Sequence, residues 1–427
     1  MAGTVTILDT HGAAISPGLI DGHNHLSYDF LPEWVPPASA LPFLSRYQWR
    51  GRTDYGTFTD PEGDSNNDGT QDAGSICPGG KWGELRSLIH GTTTIQGGLP
   101  SAGITCFDRL ARNADEFNGL GADIARGTIS GPCESGFPAR PGLIADFLDG
   151  DARRLYVHMG EGTGPAGTPG SSTDPLREYD CFAGLTFSPP RENLLFDGAG
   201  MAYGSGVFIH AMPLTPAQLD ESVLSGVHFV WSPTSNLGLY GATAPIAAML
   251  SRGLVVGLGP DWTLSGSNEM LSEMRVALEY GRAMGIAALT TRQVWEMATM
   301  DGAEVVGLHA DIGSITVGRR ADLVVFGRTG TDPYQAVLES RAEDVRLVLV
   351  DGAGYYGDLG LEMTTAVNGD CDTIDACGTE KYLCVANTPG AATRAADTLG
   401  SLETELRGIL GTYGRASELE PLIDCSL

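Results

Sequence analysis

Short β-rich apolar runs alternate with segments of helical period from about residue 86 to residue 310, and no other feature of the chain restricts its fold as much. The runs are TTTIQ, IARGTIS, RLYVHMG, GVFIHAM, GVHFVWSP and GLVVGLGPD. Between them TPAQLDESVLSG, APIAAMLSRG and TTRQVWEMATMDGAEVVG space apolar residues as a helix face does, and each ends in glycine. Strands joined by crossover helices pair in parallel, so an α/β barrel or an open parallel sheet is expected. After residue 311 the texture changes. IGSITVGRRADLVVF and DVRLVLVDGAGYYGD are strand-turn-strand patterns that suit a small β domain. Residues 361–427 read as a tail with one helix near ADTLGSLETELRGILGTYG.

Bulk properties narrow the class of function. At 427 residues the chain exceeds one compact core, so a large domain with a smaller companion is expected. A formal net charge of −27 excludes a nucleic-acid ligand, which needs a basic face to release counterions. No apolar run approaches the roughly 20 residues of a membrane helix. Eight cysteines are present, and Cys371, Cys377, Cys384 and Cys425 crowd into the tail without any Cys-x-x-Cys pair. Disulfides and buried free thiols both fit. Count and clustering favour disulfides, hence an extracytoplasmic compartment, although the N-terminus shows neither the basic nor the apolar region of a signal peptide.

Residues 28–85 form a long insertion rich in Pro, Gly and Asp, with little periodicity. Its DPEGDSNNDGTQD stretch spaces Asp64, Asn66, Asp68 and Asp72 as a structural Ca²⁺ loop does, with Gly69 at the turn. Ser75 stands where such a loop places its bidentate Glu, so a plain solvated acidic loop is the competing reading.

The chemistry-bearing residues sit at strand ends. In ISPGLIDGHNHLSYD, His23 and His25 lie two apart after an apolar run, a spacing that aims both imidazoles at one face of a strand. LYVHMGEG ends in His158 with Glu161 just beyond, GVFIHAM ends in His210, and LVVGLGPDW ends in Asp261. Polar groups directly after apolar strands occupy the position from which parallel barrels present reactive side chains. One such histidine is an ordinary core residue; several in this order suit a metal. His11, His90, His228 and His309 fall outside the pattern and read as structural or surface residues.

PGLIDGHNH, GTTTIQ, VHMGEG, FIHAM, SPTSNL, GLGPD and IGSITVGRRADLVVF together resemble the amidohydrolase superfamily, in particular its cytosine deaminase-like and triazine chlorohydrolase-like branch, over roughly residues 15–357. The resemblance implies an α/β fold, a TIM-type (β/α)8 barrel with a small β-sandwich domain formed by the chain ends. The barrel would occupy residues 18–311 and carry the 28–85 insertion. Residues 1–17, an incomplete N-terminal part, and 312–360 would form the small domain, with 361–427 as the tail. It also implies that His23, His25, His158 and Asp261 hold one divalent metal while Glu161 and His210 flank a small-molecule substrate. Two-metal members usually bridge their ions with a lysine from a middle strand, and no lysine lies between Lys81 and Lys381. Three imidazoles and one carboxylate suit Zn²⁺, with Fe²⁺ the alternative.

On this reading a metal-activated water attacks, Asp261 takes its proton, Glu161 protonates the substrate nitrogen, and His210 polarises the reacting group. The expected reaction is deamination of an aminated heterocycle. Amide or cyclic-amide hydrolysis on the same centre is the alternative, and a barrel without catalysis that serves as a binding protein is a third. Trp231, Asn236, Tyr240, Trp262, Ser265 and Ser267 are the expected pocket residues. Related enzymes read His-Asn-Pro-x-Ser-Asn in strand seven where this chain has Trp231 and Ser232, and few residues precede His23. A homo-oligomer is compatible with all of this.

Overall fold

The computed structural model describes residues 7, 9–72, 74–97, 110–115, 125–186, 190–367, 369–386, 394 and 396–426. Among these residues fourteen strands are formed: β1 (Ala14–Pro17), β2 (Leu19–Asp21), β3 (Thr92–Ile95), β4 (Arg112–Asn113), β5 (Ala125–Thr128), β6 (Arg154–Met159), β7 (Gly206–His210), β8 (His228–Trp231), β9 (Val256–Leu258), β10 (Leu323–Phe326), β11 (Val345–Val350), β12 (Ala353–Asp358), β13 (Asp372–Ala376) and β14 (Thr379–Leu383). Strands β2 to β9 are all parallel to their neighbours, as the alternation of apolar runs and helices requires. They fall into two sheets, β2-β3-β4 and β5-β6-β7-β8-β9. The first and last of these strands meet: Asn24 and Asp261 form a parallel bridge, and Gly22 N–H donates to Leu258 O at 2.8 Å. This is a TIM-like α/β fold. Its β6 and β8 are buried along nearly their whole length, the pattern of strands covered on both faces.

The second unit is one six-stranded antiparallel sheet in the order β1-β10-β11-β12-β14-β13. Among the described residues it is a single sheet, and β13 and β14 carry it into the segment that the sequence presents as a tail. A buried ion pair ties it to the parallel strands. Arg112, on β4, donates to both carboxylate oxygens of Asp322, the residue before β10, and Asp322 O accepts Gly18 N–H ahead of β2.

Residues 28–85 are more ordered than their composition suggests. They contain helices Arg46–Trp49 and Thr53–Gly63, and residues 76–85 begin the helix Ile76–Ile89. The last is buried from Pro78 through Ile89, its Lys81, Glu84 and Arg86 included, so no exposed side sets up a readable period. Gly79 and Gly83 explain how it packs so closely, since a Cβ on Gly79 would lie 2.4 Å from Ser27 O. Helix Leu399–Thr412 forms where the tail's periodicity places it, opened by a Thr398 capping box.

Disulfides join Cys133 to Cys181, Cys371 to Cys384 and Cys377 to Cys425; Cys77 is also bridged, and no described cysteine is free. No helix among the described residues is long and apolar enough to cross a membrane.

Candidate metal centre

The polar residues that end the parallel strands converge. His23 follows β2, held by Asp21, whose carboxylate accepts His23 N–H at 3.0 Å and Asn24 Nδ2 at 2.8 Å. His158 and His210 are the penultimate pairing residue of β6 and the last residue of β7. Ligand atoms of His23, His25 and His158 all lie within 4.8 Å of one another, and Asp261 Oδ1 stands 3.6 Å from Nε2 of both His23 and His25. Ligand atoms of His158, Glu161 and His210 gather in the same way, with Glu161 Oε2 3.7 Å from His210 Nε2. His210 and Asp261 adopt φ of +67° and +74°, a left-handed backbone that side chains disfavour and that tends to collect at functional sites.

Two of the imidazoles, His23 and His210, have their orientation fixed from behind. His23 Nδ1 is 3.0 Å from Gln96 Oε1, and Gln96 Nε2 donates to Asp115 Oδ1. An amide oxygen only accepts, so His23 carries its proton on Nδ1 and turns an unprotonated Nε2 inward. That Nε2 is buried without a protein partner. His210 Nδ1 similarly meets Asn236 Oδ1 at 2.8 Å, leaving its own Nε2 buried and unpartnered. Asp261 Oδ2 accepts from Ser235 Oγ at 2.7 Å, which leaves Oδ1 to face the histidines. Glu161 Oε1 accepts from Tyr240 at 2.6 Å.

Burial dominates the electrostatics. It lowers His23 and His210 to about 3, and lowers His25 and His158 well below the usual range with their neighbouring imidazoles adding to the effect. All four are therefore neutral near pH 7, the form that can ligate a metal. Burial pushes Asp261 upward, reinforced by the charge of Glu161, and pushes Glu161 upward against the pull of Arg46 and Tyr240. Neutral imidazoles with inward lone pairs beside a costly buried carboxylate form a pocket that a divalent cation would satisfy on every side.

The expected pocket residues divide. Trp262 packs its ring 5.1 Å from His25 and meets Tyr28, Trp49 and Tyr55 at 5.4, 5.8 and 6.2 Å, making an aromatic wall largely supplied by the insertion. Ser265 Oγ accepts Trp262 Nε1. Asn236 and Tyr240 are bonded to His210 and Glu161. Trp231 and Ser267 spend their polar atoms within the fold, on Thr243 and on Thr234 and Glu273. The sequence reading missed Gln96, Asp115, Ser235 and Trp49. Gln96 ends the apolar run TTTI as His158 ends its own, a signal that was present.

In the acidic loop, Asp64 accepts the N–H groups of Asp68 and Gly69, Asn66 accepts Asp68 N–H, and Asp72 accepts from Ser65 and Gly74. Among the described residues, triads of His, Cys, Asp or Glu ligand atoms come together only around His158, not in this loop.

A family model described as the amidohydrolase family matches residues 189–353. The chain is 31% identical over 395 residues to a 5′-deoxyadenosine deaminase of Methanosarcina mazei, covering 81% of this chain and 82% of that one. It is 28% identical to a 5-methylthioadenosine/S-adenosylhomocysteine deaminase of Desulfitobacterium hafniense, covering 81% of each. Two solved structures share the fold. A zinc-bound adenosine deaminase from Xanthomonas campestris has a TM-score of 0.57 at 20% identity, covering 80% of both chains. A zinc complex of atrazine chlorohydrolase from Arthrobacter aurescens has a TM-score of 0.53 at 20% identity, covering 80% of this chain and 83% of that one.

Proposed function

Because this chain belongs to the amidohydrolase family, we propose that His23, His25, His158 and Asp261 hold one divalent cation, zinc in preference to Fe²⁺, and that the substrate is an aminated purine of the 5′-modified adenosine kind. The chain is a deaminase-like, metal-dependent hydrolase acting on carbon–nitrogen bonds of a small molecule. The observation that carries the assignment is the gathering of His23, His25 and His158 with Asp261 Oδ1 3.6 Å from the first two, and His23 Nε2 buried without a protein partner. The substrate class rests on the two deaminase relatives and on the aromatic wall of Trp262, Tyr28, Trp49 and Tyr55, which suits a flat heterocycle.

When bound, the cation supplies the Lewis acidity that makes water nucleophilic at neutral pH. Asp261, with Oδ2 held by Ser235 and Oδ1 facing the histidines, accepts the proton that the attacking water gives up. Glu161, whose proton affinity is raised by burial, delivers a proton to the substrate nitrogen and so helps ammonia to leave. His210 takes a role different from the polarising donor expected from sequence. With its proton on Nδ1 and bonded to Asn236, its Nε2 offers a lone pair, so it orients the attacking water by accepting a hydrogen bond.

We read β2 to β9 as one closed (β/α)8 barrel spanning residues 18–311, a reading supported by the bridge between Asn24 and Asp261, with β1 and β10 to β12 in a separate small domain of residues 1–17 and 312–360 whose sheet β13 and β14 extend into the tail. The disulfides support an extracytoplasmic site of action. A structural Ca²⁺ at Asp64, Asn66, Asp68 and Asp72 has the support of spacing alone.

The test is ammonia release by zinc-loaded protein from 5′-deoxyadenosine, adenosine, triazines and small amides, with metal content measured beside it. Glu161→Gln is expected to lower kcat by about 10²–10⁴-fold while metal content stays unchanged. His158→Ala is expected to lose both. Full activity in either variant contradicts the assignment. Amide cleavage without ammonia replaces deamination by amide hydrolysis, and a protein that neither retains zinc nor turns over any compound is a binding protein.

A further inference from the structure

Tyr240 joins two parts of the chain that the sequence keeps far apart. Its hydroxyl lies 2.7 Å from Trp49 Nε1, in the 28–85 insertion, and 2.6 Å from Glu161 Oε1 beyond β6. An indole N–H can only donate, so the hydroxyl accepts from Trp49 and its single proton goes to Glu161. The order of donation runs one way, from Trp49 to Tyr240 to Glu161. All three side chains are buried, so water does not compete for these bonds.

We propose that Tyr240, and Trp49 through it, are positioning residues that hold Glu161 Oε1 as a permanent acceptor and confine the transferable proton to Oε2, the oxygen 3.7 Å from His210 Nε2. The inference rests on the reading of Glu161 as the proton carrier. A carboxyl free to rotate would present its proton on either oxygen and in either direction; a fixed Oε1 leaves one orientation that faces the reacting atoms. During turnover the O–H bond at Oε2 breaks and an N–H bond forms on the substrate. Of the two protons of the water consumed, one, accepted first by Asp261, restores Glu161 and the other stays on the product, so the carboxyl ends the cycle as it began.

Trp49 also explains what fixes the insertion here. Its ring packs against Trp262 and Tyr55, and the helix that it ends is anchored at Arg46, whose N–H donates to Glu161 O while its guanidinium lies 3.7 Å from Glu178. Glu178 in turn accepts Gly160 N–H at 2.6 Å, so the turn from His158 to Glu161 is gripped from both sides.

The experiment compares Tyr240→Phe, Trp49→Phe and the double variant as zinc-loaded full chains, with 5′-deoxyadenosine as the probe and with zinc content and melting temperature measured on each. Tyr240→Phe is expected to lower kcat by about 10- to 100-fold with KM within about twofold and zinc content unchanged. Trp49→Phe is expected to lower kcat in the same way but less. Because Trp49 acts through Tyr240, the double variant is expected to be no slower than Tyr240→Phe alone. A raised KM at constant kcat in Tyr240→Phe, additive losses in the double variant, or an unchanged kcat overturns the proposal. If Tyr240→Phe does not keep its melting temperature, Trp49→Phe decides the matter by the same split, since it alters no atom in contact with Glu161. Glu161→Gln is run in parallel. If it retains full turnover the proton-carrier reading itself fails, whereas an inactive Glu161→Gln beside a normal Tyr240→Phe removes only the positioning role.

Discussion

Gln96 carries a disproportionate share of the geometry around His23, because it decides which ring nitrogen holds the proton. Replacing it by Leu leaves Nδ1 without an acceptor and lets the ring rotate or change tautomer. A loss of about 10- to 100-fold in zinc affinity is expected, measured by competition with a chelator, with little change in melting temperature of the metal-free protein. His23, His25, His158, His210 and Asp261 were legible in sequence because each is a polar residue where an apolar run stops. Their supports were not. Ser235 and Asn236 sit in SPTSNL with nothing to say which of them faces Asp261 and which faces His210. Asp115 is remote from the residue it steadies, and Trp49 lies in a stretch without periodicity. Hydrogen bonds between distant segments leave no local pattern, whereas burial of a strand does.

At the scale of elements, the insertion is the part that composition misrepresented. Its proline and glycine content suggests an irregular loop, yet it contains two helices and begins a third, buried one. Its contact with the parallel strands depends on Gly162, whose φ of +142° is closed to other residues and where a Cβ would lie 2.3 Å from Leu44 O and 2.5 Å from Ser45 Cα. Gly162→Ala is expected to push the 44–49 segment outward and lower kcat at least tenfold, an estimate from the cost of misplacing catalytic groups by about 1 Å. Faster proteolysis within residues 28–85 at unchanged protection of the parallel strands is the accompanying sign, and uniform protection throughout would contradict it. The Cys133–Cys181 bridge spans a sequence separation of 48 and closes a loop whose entropy is worth about 4 kcal/mol in the chain-entropy picture. Replacing both cysteines by Ser is expected to lower stability by up to that amount in denaturant titration, without changing KM.

For the molecule as a whole, pH acts through buried carboxyls such as Glu273. Burial raises it from 4.5 to about 7 despite hydrogen bonds from Ser267 and Thr234. Between those two values the folded state binds more protons than the unfolded state, so stability falls as pH rises from 4.5 to about 7 and levels off above. Glu273→Gln removes this component. Relative to the parent, the variant is expected to gain on the order of 3 kcal/mol between pH 4 and pH 8, read from chemical denaturation at both ends. A constant difference across the range would refute the assignment. The bridge between Asn24 and Asp261 has a consequence of another kind. A centre that needs groups from both the first and the last of the parallel strands cannot exist on a half-made polypeptide. Until the ribosome has released Asp261, the rings of His23 and His25 lack the carboxylate that faces them, and the cation proposed for this site would be captured wherever the chain completes itself, from whatever supply that place offers.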